Sequence, residues 1–324
     1  MTHRSMHRLF GVTLATDHPL SLTRHDGDDA PDVTFRVVDH EPAGADWSTA
    51  ELRYSTPVAP DRAEPDFHFY RLADRDVIRI TGAADFHVAD DHITCHLPDP
   101  RHGYVIEIAL FGLVMAFWLE RLGRETYHAA ALVPTEDAAV AFLATSGTGK
   151  SSLAADLLAD GARLLTEDLL AVTWADDTPL AQPGPPQLRL WPEVAARVVE
   201  AWEDLDQPHP DFDKRRVPVG PLGIGAMSHT AVPLRRFYVL QRLPAGTTGP
   251  TIEPLADRAA VVELLRHSYL PHESARFGWQ ARRLEQVVRV LATVPLRRLR
   301  YPSGTEHLPR VRELLLEDLA GATP

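Results

Sequence analysis

Short runs in which apolar and polar residues alternate dominate the first hundred positions. Residues 33–38, 67–72, 77–81 and 92–97 are rich in β-branched and aromatic types and predict strands. Asp-, Pro- and Gly-rich stretches at 26–32 and 57–65 separate them as loops. The pattern changes over 104–122, where apolar residues crowd together and predict a helix. Arg121 and Arg124 stand near its end, where cations suit the helix dipole. The apolar run 108–119 spans 12 residues between Glu107 and Glu120. A bilayer span needs roughly 20, so a buried helix is expected and no membrane association.

Beyond residue 120 the periods mix. A strand at 127–133, a turn at 134–137 and a strand at 138–143 read as a hairpin, the second strand apolar on both faces as in a covered sheet. A helix at 151–159 stops at Gly161. Strands at 163–165 and 169–174 flank Thr166-Glu167-Asp168, and Pro-rich punctuation follows at 179–186. Helices are expected at 194–205, 258–267, 280–293 and 308–319, and a strand at 235–242. No internal repeat is evident. This order predicts an α/β domain from about residue 120 onward, after a β-rich region, and the chain is divided at 1–103 and 104–324.

Composition narrows the function. Apolar residues make up 44% and charged residues 24%, ordinary for a globular chain. A net charge of −12 disfavours nucleic acid and anionic lipid as partners. The basic cluster Arg297, Arg298, Arg300 reads as a solvated face. The single cysteine, Cys95, allows no intrachain disulfide, and residues 1–10 lead into no apolar stretch of secretory length, so a cytoplasmic setting is expected. The 16 histidines show neither His-Glu-x-x-His nor Cys/His spacing, and no zinc site is expected. Of 33 basic residues only two are lysines, Lys150 and Lys214, so a lysine inside a motif is informative.

One lies in Ala144-Thr145-Ser146-Gly147-Thr148-Gly149-Lys150-Ser151-Ser152, between an apolar strand and a helix, the context of a P-loop. Backbone amides from Ser146, Gly147, Thr148, Gly149, Lys150, Ser151 and Ser152 would face an anion at the helix N-terminus. Glycines permit the tight concave turn. Lys150 would reach the β- and γ-phosphates of ATP, and the Ser151 hydroxyl would ligate Mg²⁺. Ala144 stands where the pattern has its first glycine, which would strain a backbone of positive φ. Glu167 and Asp168 follow Lys150 by 17 and 18 residues between two strands, as candidate metal ligand and proton acceptor.

Tyr127-His128-Ala129, the P-loop and the run from Gly161 to Asp168 resemble the catalytic domain of HPr kinase/phosphorylase. Segments 188–192, 214–218, 264–269 and 294–299 resemble, more softly, stand-alone HPr-kinase-like proteins of ribosomal-peptide gene clusters, lasso peptides among them. The resemblance covers about residues 104–319. It implies a P-loop α/β catalytic domain of HPr-kinase type that uses ATP and Mg²⁺. Glu167 falls on the residue that takes the acceptor serine's proton, Asp168 on its partner beside the metal together with Ser151, and His128 on a histidine near the phosphates. The family's pair is usually Asp-Asp, so either Glu167 or Asp168 could be the base. Its further metal-binding glutamate has no counterpart at Leu188-Arg189-Leu190. The resemblance also permits a homo-oligomer.

The leading expectation is a kinase of a serine-type hydroxyl, on a peptide or a small molecule. The alternative is a non-catalytic ATP-binding regulator. No Asn-Lys-x-Asp segment supports a guanine-specific switch, and no Leu-Ser-Gly-Gly supports a transporter ATPase. Lys214 is a candidate substrate contact or a solvated turn. Arg189 and Arg266 are read as surface salt-bridge partners before arginine fingers, His128 equally as a core histidine, and His267 as a helix cap.

Overall fold

The computed structural model describes residues 4–321 apart from 28, 136, 137, 146, 222 and 248. The expected turn at 134–137 therefore lies partly outside the described residues. The chain divides into two units, Met1–Gly123 with His272–Gln280, and Arg124–Pro271 with Ala281–Pro324.

In the first unit eight strands form one sheet: β1 (Ser5–Leu9), β2 (Val12–Thr16), β3 (Val33–Val38), β4 (Glu51–Ser55), β5 (Phe67–Arg71), β6 (Asp76–Ile80), β7 (Ala84–Val88) and β8 (His92–His96). Their order is β1-β2-β3-β8-β7-β6-β5-β4. Four of them match the alternating runs. β2 and β7 are buried at every position, so no alternation betrays them, and β1 and β4 carry charges within the strand. The pleat sets Phe69, Ile78, Phe86 and Cys95 in one cross-strand row, all buried.

The expected helix at 104–122 forms as α1 (Val105–Ala109), a π turn at Leu110–Val114 and α2 (Met115–Arg121). It belongs to the first unit rather than opening the second. Phe117 packs 5.7 Å from Phe69, ring to ring, and the Trp118 indole donates to the Asp90 carbonyl at 3.0 Å. Phe277 and Trp279 lie 5.0 and 5.3 Å from Phe117, which draws residues 272–280 into the same unit.

The second unit begins with β9 (Glu125–Thr135) and β10 (Ala138–Leu143), then α3 (Lys150–Ala159), β11 (Arg163–Thr166), β12 (Leu169–Ala175), β13 (Thr178–Ala181) and β14 (Gln187–Leu190). It continues through α4 (Pro192–Val198), β15 (Arg215–Pro218), β16 (Ala226–Met227), β17 (Val232–Leu243), β18 (Thr251–Pro254) and α5 (Asp257–Arg266). After α6 (Glu273–Arg276), which lies in the first unit, come α7 (Gln280–Leu291), β19 (Leu296–Pro302) and α8 (Leu308–Ala320). The helix expected at 194–205 is shorter, ending at Val198 before a 3₁₀ turn at Trp202–Asp204. The basic cluster expected on a solvated face lies in β19, where Arg297 pairs with Asp318 and Arg300 with Glu253 at 3.1 Å.

β10 sits between antiparallel β9 and parallel β17, and β17 runs parallel to β19. Val140 and Phe142 pack into a core with Leu153 and Leu157 of α3 and Val311 of α8. Ala139, Ala141 and Leu143 face the other way, into a core with Leu264 of α5 and Val287 of α7. Both faces of β10 are thus covered, as its continuous apolar run predicts. Among the described residues no helix is long and apolar enough to cross a membrane.

Candidate active site

β10 ends at Leu143 and the chain loops through 144–149 before entering α3 at Lys150. Gly147 and Gly149 have φ of 81° and 107°, a region that L side chains avoid. A Cβ at Gly149 would also stand 2.7 Å from Arg242 Nη2 and 3.1 Å from the Tyr301 hydroxyl. Ala144 is buried and its φ is not positive, so alanine costs nothing there. Within the loop the Thr145 and Thr148 hydroxyls meet at 2.9 Å. Ser146 lies outside the described residues.

The loop opens on a cavity of about 280 Å³ lined by His128, Gly147, Gly149, Lys150, Ser151, Ser152, Glu167, Asp168, Arg189, Trp191, Glu193, Lys214 and Arg242 among others. Four cationic side chains face three carboxylates, so the cavity is locally positive in a chain of net charge −12. Such a recess attracts a polyanion that the outer surface repels.

Lys150 Nζ donates to the Ala144 carbonyl at 2.6 Å and to His128 Nε2 at 3.0 Å. An ammonium only donates, so His128 Nε2 is the acceptor and its Nδ1 carries the proton. That Nδ1–H faces Asp168 Oδ1 at 3.3 Å. Burial pulls Lys150 below its ordinary value, opposed by Asp168 and Glu167. Burial also lowers His128, which stays neutral near pH 7.

The two carboxylates have different partners. The Ser151 hydroxyl donates to Glu167 Oε1 at 2.8 Å, so Ser151 sits on Glu167 rather than on Asp168. Asp168 accepts from the Tyr269 hydroxyl at 2.9 Å and pairs with Arg189 Nη2 at 3.0 Å. Arg189 Nε stands 3.5 Å from Glu167 Oε2 and so bridges the pair. Burial alone would raise the Asp168 carboxyl. Arg189, His128, Tyr269 and Lys150 outweigh it and hold Asp168 below the ordinary carboxylate value. Burial and the Asp168 charge push the Tyr269 hydroxyl well up, so it remains a donor.

Asp168 carries a φ of 134°, rare for a residue with a Cβ. Reciprocal backbone bonds with Ala129, at 3.1 and 3.3 Å, hold it there. The same strand is paired on its other side by 267–269: His128 N–H donates to the His267 carbonyl at 2.8 Å and Tyr269 N–H to the Thr126 carbonyl at 3.2 Å. This short antiparallel bridge, centred on Tyr127 and Ser268, carries Tyr269 to Asp168.

The sequence-derived candidates Lys150, Ser151, Glu167, Asp168 and His128 converge on this cavity. Lys214 lines it too, its ammonium 5.4 Å from the Trp191 ring. Arg189 does not make the surface salt bridge expected of it, because the β14–β15 pairing turns it onto the acidic pair. Arg266 does, reaching Glu263 at 3.7 Å with its side chain exposed. His267 occupies the cap after α5 as expected. Tyr269, Trp191 and Arg242 were not anticipated as site residues, since their approach depends on strand pairings between distant segments.

No family model matches the chain, and no curated protein matches it. Among solved structures it is similar to the HPr(Ser) kinase/phosphatase from Coxiella burnetii, at 10% identity and a TM-score of 0.33, over 61% of this chain and 97% of that one. At that degree of superposition the likeness carries no functional argument, which rests on the residues of the cavity.

Proposed function

We propose that the chain is a phosphotransferase that moves the γ-phosphoryl group of ATP to a hydroxyl acceptor. The observation that carries this reading is the hydrogen bond from Ser151 to Glu167 beside Lys150, at the mouth of a helix that opens on a positively lined cavity. Amides at the start of α3 would receive the polyphosphate, and Lys150 would neutralise its charge. The Ser151 hydroxyl and the Glu167 carboxylate are hard oxygen donors that fit Mg²⁺, which when bound would offset negative charge on the phosphates.

In this reading Asp168 stands on the acceptor side. Held by Arg189, Tyr269 and His128, it is ionised near neutral pH and a weak base. Its part is to orient the acceptor hydroxyl and take the proton late, which a loose phosphoryl-transfer transition state allows. His128 links Asp168 to Lys150 and fixes both heads. Arg189, touching both carboxylates, is suited to follow charge as it moves across the cavity. The acceptor we infer is a serine-type hydroxyl of a peptide, with a small-molecule alcohol as the competing class.

Purified protein with Mg-ATP should convert a serine-bearing peptide or a small alcohol to a phosphate monoester, read by mass. Lys150→Ala should lower turnover by about 10³-fold. Undiminished turnover in that variant would end the proposal. ATP binding without transfer to either acceptor class would mark a regulator instead.

A further inference from the structure

Asp85 on β7 pairs across the ladder with His96 on β8, and His87 lies two residues from Asp85 on the same face. The intervening Phe86 and its partner Cys95 face the core. Glu41 enters from the segment after β3, whose last residue, Val38, pairs with His96. The pleat therefore brings four potential ligand side chains to one face of the first unit's sheet. One ligand atom from each of Glu41, Asp85 and His96 lies within 4.8 Å of the other two.

His87 supplies the independent observation. Its side chain is 1% exposed, and neither ring nitrogen has a hydrogen-bond partner among the described residues. A buried imidazole left so is costly unless something else satisfies it. Its Nε2 stands 3.4 Å from Glu41 Oε1, and His96 Nδ1 stands 3.2 Å from Glu41 Oε2. Zinc takes nitrogen and oxygen ligands at about 2.0–2.2 Å, so ligand atoms on a tetrahedral ion lie about 3.3–3.6 Å apart. Each spacing is close to that edge length, and because they end on different oxygens of Glu41, that carboxylate stands between the two imidazoles.

We propose that Glu41, Asp85, His87 and His96 form a binding site for a divalent transition-metal ion, with zinc the best match to two imidazoles and two carboxylates. The surroundings resemble a supporting shell. The Trp47 indole donates to Glu41 Oε1 at 2.9 Å and fixes that carboxylate. Arg79 holds Asp85 through bonds of 2.8 and 2.7 Å. A carboxylate has about four lone-pair sites, so Asp85 keeps some for a metal. With Arg79 counted, Glu41 and Asp85 leave one net negative charge to meet the ion. The positions 41, 85, 87 and 96 match no local zinc motif, because strand pairing rather than sequence spacing brings them together.

The test uses the full chain, stripped of metal with a chelator. Zn²⁺ alone is titrated by calorimetry, Co²⁺ by visible absorption, and melting temperature is recorded with and without Zn²⁺. One ion per chain should bind at micromolar affinity or tighter, Co²⁺ should show tetrahedral bands, and Zn²⁺ should raise the melting temperature. Glu41→Gln and His96→Ala, at partly exposed positions, should each weaken binding at least tenfold and abolish that rise. Glu167→Gln, which removes the carboxylate in the second unit, should leave the site's stoichiometry at one. No binding to the native chain, binding unchanged by Glu41→Gln and His96→Ala, or binding lost only in Glu167→Gln would each overturn the proposal.

Discussion

The two units each gather carboxylates, histidine and arginine in one place, and they balance them differently. In the second unit's cavity the Glu167 and Asp168 carboxylates are both matched by donors and by a cation they share. Glu167 has Ser151 and Arg189, and Asp168 has Arg189, Tyr269 and His128. In the first unit Glu41 is shared between two imidazoles, and His87 is left without a hydrogen bond. A self-satisfied cluster can stay rigid while Lys214, against Trp191, and Arg242, against Tyr301, line the same cavity as further cations. An unsatisfied one invites a cation. The difference lies in matching, since the residue types are nearly the same.

The comparison breaks most sharply at Arg189. Arg189→Ala leaves Glu167 and Asp168 crowded without their shared cation, turning the matched cluster into an unmatched one. A loss of about 3–4 kcal/mol in unfolding free energy is expected, read by urea denaturation. That loss, taken against the native chain in the same buffer, should shrink when Mg²⁺ is added.

A pH series tests the second unit next. His267 falls from 6.5 to about 4, chiefly through burial and then the charge of Lys150. Between those values the unfolded chain binds a proton that the folded chain refuses, so stability drops as pH falls from 6.5 to about 4. The native chain should lose on the order of 3 kcal/mol more over that window than His267→Leu. Parallel curves for the two proteins would contradict the assignment.

Smaller effects belong to the backbone. At Asp168, with φ of 134°, Gly and Ala both remove the carboxylate, but only Gly relieves the strain. Asp168→Gly should be about 1–2 kcal/mol more stable than Asp168→Ala by thermal melting, with transfer impaired in both. Smallest is Ala144→Gly. Because φ there is not positive, glycine should destabilise by about 0.5 kcal/mol and leave ATP affinity unchanged by calorimetry.

These positions also mark how far the sequence could be read. The strand, glycine loop and lysine of 138–150 were legible because the signal is local: an apolar run, two glycines and a rare lysine. Glu167 and Asp168 were legible as a pair, but their division of partners was not, since it depends on where the Ser151, Arg189 and Tyr269 side chains end. Arg189 looked like a surface residue because nothing in its neighbours reveals the β14–β15 pairing. In the first unit β3, β5, β6 and β8 alternate visibly, whereas β2 and β7 are covered on both sides and lose the period that would announce them.

The path of the chain through 272–280 limits how the protein can be divided. A fragment beginning at Arg124 would carry Phe277 and Trp279 away from Phe117, baring aromatic surface prone to aggregation. Recombination at a single junction would strand the same two rings. Swapping one half for another, in the laboratory or over generations, therefore takes three joints rather than one.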